Sequence, residues 1–271
     1  MAIQTEIVTI TADKARDLLA RNTSNRKVSK TNLNVVVAAL RRGEWKVNGE
    51  AIKVAEDGTI LDGQHRLIAC METGIALRTL VVTGLPADTQ QTMDTGKARS
   101  PKDVLALRGH SNSGNLAAAT LAIIRSEQYS IRAAAKGDAS YPVTTAQIVA
   151  RAEEEPGIAD VARYGKKFGF VGLPARIASM LYYRFTEIDP DDAQAFFDSL
   201  YSGENLGAGH PILTLRTQLI KSKASVKGER SPIWMAAITI KAWNKYRAGE
   251  SASILRFVPG GASPEPFPEP R

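Results

Sequence analysis

Cysteine is almost absent from this chain. Cys70 is the only one in 271 residues, so no intrachain disulfide can staple the fold. It sits among apolar residues on an expected helix, which suits core packing and gives no support for a thiolate catalyst. Long apolar runs are missing too. Trp234 to Ile240 is the best candidate, and it falls far short of the roughly 20 residues that cross a bilayer. The N-terminus carries Glu6 and Asp13 without a continuous apolar core, unlike a signal peptide. A cytoplasmic protein with no membrane partner is the expectation. No internal repeat interrupts this reading.

What is present is a basic, core-forming chain. Hydrophobic residues make up 44% of it, the net charge is +7 and the pI is about 9.5. That length and hydrophobic content build one large or two modest domains. The charge favours polyanionic partners.

The most informative stretch is Thr59 to Ala69. Its first residues suit a strand, Asp62-Gly63 suits a sharp turn, and Leu67, Ile68 and Met71 give the following helix a buried face. Asp62, Gln64, His65 and Arg66 are thereby gathered at a helix start. The first N–H groups of a helix lack internal partners and lie at the positive end of its dipole. An anion there meets amides, an arginine and an imidazole, and phosphate is the obvious candidate. Asp62 as a helix N-cap, with Gly63 serving only the turn, is the structural alternative.

Asp62-Gly63-Gln64-His65-Arg66 resembles the DGQHR signature of the ParB/sulfiredoxin-like superfamily. Gly43-Glu44-Trp45 and Asp94 to Ser100 resemble flanking features of phage and plasmid ParB-like proteins, and the likeness covers about residues 5 to 108. The resemblance implies a bacterial or phage-infected cell and a nucleotide-binding protein acting on or near DNA, with nucleoside-triphosphate hydrolysis an open question. Gly63, Gln64, His65 and Arg66 would contact phosphates, and Asp62 and His65 would be the catalytic candidates. Asp62 is also the candidate Mg²⁺ ligand. Two departures narrow this. Partition-type ParB proteins carry Gly-Glu-Arg-Arg where this chain has Gly63 to Arg66, which argues against CTP gating of that kind. Sulfiredoxin-type enzymes place a cysteine in the turn, so Gln64 and His65 argue against sulfinic-acid repair. Three alternatives stand. One is a phosphotransferase like the free-serine kinases, whose Asp-Gly-His-His-Arg differs only at Gln64. A second is a metal-dependent nuclease, with Asp62, Glu72 and Asp94 scattered in sequence. The third is a non-catalytic DNA-binding or inhibitory adaptor. A homodimer is left open.

The remaining pattern predicts an α+β domain over residues 1–110, with a small mixed sheet in the ParB/sulfiredoxin-like manner. A helical domain for DNA or partner binding follows over 111–258, then a flexible Pro-rich tail over 259–271. Residues 5–10, 45–54, 59–61 and 77–82 read as extended, with a hairpin turn at Glu56-Asp57-Gly58. Helices are expected over 11–19, 30–42, 145–155, 174–185, 211–223 and 232–247, with others around Leu116 and after Asp189. Ser100-Pro101-Lys102-Asp103 is a helix-start signal. With Lys97 and Arg99 it offers a second phosphate cradle beside Ser100. Arg216, Lys221, Lys223, Lys227 and Arg230 form a basic segment for a DNA backbone.

Overall fold

The computed structural model describes residues 2–21, 28–92, 100–138, 140–224, 231–260 and 264–271. It divides into two compact units. The first comprises Met1–Ala98 with Pro142–Ala146, and the second Arg99–Tyr141 with Gln147–Arg271.

In the first unit, strand β1 (Gln4–Ile10) leads into helix α1 (Ala12–Ala20), whose N-cap Thr11 accepts from the Lys14 amide. Helix α2 (Lys30–Arg41) follows, capped by Ser29. Strands β2 (Ala51–Ala55) and β3 (Ile60–Asp62) form the expected hairpin, and Asp57 Oδ1 fixes its turn by accepting from the Thr59 amide at 2.8 Å. Helix α3 (Gln64–Thr73) and strand β4 (Leu77–Leu85) complete the unit.

The sheet order is β1-β4-β2-β3, with β4 antiparallel to β1 and parallel to β2. The fold is thus mixed α+β. Both α1 and α2 pack on α3. Ile10, Leu33, Leu40, Ile52, Ile60, Leu67 and Leu77 are buried in one cluster. Strand β2 begins only at Ala51, later than the expected extended stretch from Trp45. Trp45 instead donates its indole N–H to Arg78 O at 2.8 Å.

The second unit is helical: α4 (Pro101–Leu107), α5 (Ser113–Gln128), α6 (Ile131–Lys136), α7 (Thr145–Glu154), α8 (Gly157–Lys166), α9 (Ala175–Thr186), α10 (Pro190–Ser202), α11 (Pro211–Lys223) and α12 (Pro232–Arg247). A 3-10 turn, Lys167–Val171, follows α8. Phe185 stacks on Trp243 with ring centroids 4.4 Å apart, and Phe196 and Phe197 fill the space around them. The division falls at residue 98, not 110, because α4 buries Leu105 and packs on α5.

The Pro-rich end also departs from expectation. Residues 264–271 are docked on α12 rather than forming a flexible tail. Trp243 Nε1 donates to Arg271 O (3.0 Å), Asn244 Nδ2 donates to Glu269 O (2.9 Å) and Lys241 pairs with Glu265. Phe267 meets Phe257 with ring centroids 5.7 Å apart. Proline composition suggested mobility, but proline also stiffens an extended segment and leaves its carbonyls free to accept.

Candidate phosphate site at the start of α3

The signature residues sit at the junction of β3 and α3, as the strand–turn–helix pattern requires. Gly63 is the N-cap, with φ 104° and no side-chain cap hydrogen bond. A Cβ there would lie 2.8 Å from Ile52 Cγ1 and 3.2 Å from Ile52 Cα. Only glycine combines that φ with so close an approach to β2.

Asp62 does not cap the helix. Its Oδ1 accepts from the Gly63 amide at 2.7 Å, one residue too early for a cap. Its Oδ2 lies 3.4 Å from both Lys53 Nζ and Arg66 Nη2. Lys53 faces Asp62 across the β2–β3 pairing. Nothing local in the sequence marks Lys53, because only the strand register puts it opposite Asp62.

Arg66 turns inward and is 12% exposed. Its Nη2 donates to Ala51 O at 2.8 Å. Its Nη1 is buried and has no hydrogen-bond partner among the described residues. His65 Nε2 accepts from the Ser29 amide at 3.0 Å, which ties α3 to the start of α2. A neutral imidazole holding that bond carries its proton on Nδ1. The Nε2 lone pair is therefore engaged and is no ready base. Gln64 opens the helix and is half-buried.

Mg²⁺ fits this donor set poorly. The only carboxylate of the turn already adjoins two cations, and no group of three or more His, Cys, Asp or Glu suited to a metal occurs among the described residues. Cys70 is fully buried, its thiol contacts Ile10 O at 3.3 Å, and burial pushes its pKa up. It packs the core.

The other candidate residues are not brought to this turn. Lys97 and Arg99 lie outside the described residues. Ser100 begins α4 as expected, but its amide and hydroxyl both donate to Asp103 Oδ2, at 2.9 and 2.6 Å. That carboxylate occupies the place an anion would take. In the basic segment, Lys227 and Arg230 also lie outside the described residues, while Lys221 is exposed on α11. Arg216 and Lys223 are spent internally. Arg216 Nη1 donates to Leu200 O (2.8 Å) and Tyr201 O (3.1 Å), and Lys223 Nζ donates to Gly169 O (2.8 Å). These carbonyls lie at the end of α10 and in the 3-10 turn, where cations are electrostatically favoured. The segment is thus no uniform row of solvent-facing cations.

No family model, curated protein or solved structure matches the chain.

Proposed function

We infer that the first unit binds the phosphates of a nucleotide at the start of α3, in a protein that works on or near DNA. The observation that carries this reading is the buried, unpartnered Nη1 of Arg66 beside an uncapped helix start. A charged donor left without an acceptor costs free energy, and a phosphate that displaced Asp62 from Arg66 would supply the acceptor. Lys53, 29% exposed, would meet the ligand from solvent. The DNA part rests on the net charge of +7 and on the likeness of the turn to ParB-like proteins.

One observation favours a second reading, a non-catalytic binding module. Asp62 is held by two cations and His65 Nε2 by the Ser29 amide, so neither group is free to act as a base in this conformation.

Incubation with each labelled nucleoside triphosphate, with and without DNA, tests both readings. Binding that falls in Lys53→Gln supports the phosphate site, and turnover stimulated by DNA supports a nucleotide-driven switch. Binding without turnover supports the module. No binding of any nucleotide refutes the α3 site.

A further inference from the structure

The second unit carries a surface on which aromatic rings and cations alternate. Phe170 and Tyr201 are 47% and 46% exposed, large fractions for such rings, and they touch edge to face with centroids 5.3 Å apart. Phe170 comes from the 3-10 turn and Tyr201 from the last turn of α10. The Arg216 guanidinium lies 5.2 Å from the Phe170 centroid. Lys167 Nζ lies 5.9 Å from the Tyr201 centroid and 5.2 Å from that of Tyr164.

The arrangement is pre-set. Arg216 is clamped by the two α10 carbonyls, and Gly203 (φ 74°) makes room for it, since a Cβ there would lie 2.8 Å from Arg216 Nε. Lys223 fixes the turn by donating to Gly169 O. Lys167 and Tyr164 also line an adjoining cavity of ≈ 560 Å³. Two nearby acids are already engaged. Asp160 pairs with Arg163 at 2.7 Å, and Asp198 accepts from the Tyr164 hydroxyl at 2.6 Å and from Gln194.

We propose that this surface binds single-stranded nucleic acid, with bases stacked on Phe170 and Tyr201 and phosphates drawn by Lys167. Exposed rings interleaved with cations are what a single strand needs, because every base offers a π-face and every linkage a negative charge. A duplex keeps its bases stacked on each other and gains only the phosphate term. The proposal rests on the nucleic-acid part of the reading above and not on the α3 nucleotide site.

The test is fluorescence anisotropy of a labelled oligothymidylate, dT20, at several salt concentrations, with calorimetry of nucleoside triphosphates run separately on the same proteins. Phe170→Ala and Tyr201→Ala should each weaken dT20 binding roughly tenfold, while Phe170→Trp retains it. Lys167→Gln should flatten the log–log salt slope by about 0.7, the value for one single-strand phosphate contact. Both rings are half exposed, so their truncation leaves the core intact, and circular dichroism checks this. If the folded Phe170→Ala/Tyr201→Ala double variant binds dT20 like the wild type, the proposal is overturned. It is equally overturned if the wild type binds no dT20, or if a duplex binds as tightly and is as sensitive to Phe170→Ala. Loss of triphosphate binding with dT20 binding intact removes the α3 site and leaves this one standing.

Discussion

Replacing Gly63 with alanine tests the tightest contact at the candidate site. Two costs add. A non-glycine residue held at positive φ costs about 1–2 kcal/mol, and φ 104° lies beyond the usual left-handed well. The new methyl would also lie 2.8 Å from Ile52 Cγ1 and 3.2 Å from Ile52 Cα. Ile52 is fully buried on β2, which pairs with β4 on one side and β3 on the other, so its backbone cannot retreat. Overpacking of this kind costs about 1–3 kcal/mol. The sum is about 2–5 kcal/mol, a large part of the stability of a small domain. Urea unfolding followed by hydrogen exchange over β2 and α3 reads it. At an m-value of ~1 kcal/mol/M, the midpoint should fall by about 2 M or more. Gly63→Asn should lose less, because asparagine tolerates positive φ while placing the same Cβ. A midpoint within about 0.5 M of wild type for Gly63→Ala would refute the packing argument.

Asp62→Asn should destabilise the first unit by about 1–2 kcal/mol, since it leaves Lys53 and Arg66 without their shared anion; a double-mutant cycle with Lys53→Met should show coupling. Arg66→Ala removes the donor to Ala51 O as well, so a loss of about 1–3 kcal/mol should appear in a melt even where nucleotide is absent. Cys70 should resist Ellman's reagent in native protein and react at once in denaturant, because it is buried with a raised thiol pKa. Deleting residues 264–271 should expose the indole edge of Trp243, shifting its emission to the red and lowering the melting temperature of the second unit.

The strand–turn–helix at Asp62 was legible because its signals are local: turn chemistry at Asp62-Gly63 and apolar spacing after it. The helices from Thr145 onward were legible where a proline or an acid marked the start, as Asp189-Pro190 does for α10. What failed was what depends on distant partners. The alternative of Asp62 as a cap fails because the amides it would cap lie further along α3, and its charge is held by Lys53 from another strand. Arg216 and Lys223 looked like solvent-facing cations, and nothing local reveals that carbonyls of α10 and the 3-10 turn claim them. The short α6 and the α8 start at Gly157 carried too weak a pattern to place. Phe170 and Tyr201 gave no signal, since a lone aromatic reads as core until its exposure is known.

The five residues Pro142–Ala146 belong to the first unit, although the chain has by then traversed α4, α5 and α6. Thr144 is buried, and its hydroxyl donates to Glu44 Oε2 at 2.8 Å across 100 residues of sequence. During synthesis the sheet and the core cluster of the first unit, all drawn from residues before Pro86, are present before this bond can form. The strip that adds it begins at Pro142, well after β4 ends at Leu85. A fragment ending near residue 98 would lack the Thr144–Glu44 bond, and one ending just past 146 would keep it. The path of the chain thus gives the N-terminal unit a contact that exists only after part of its successor has been made.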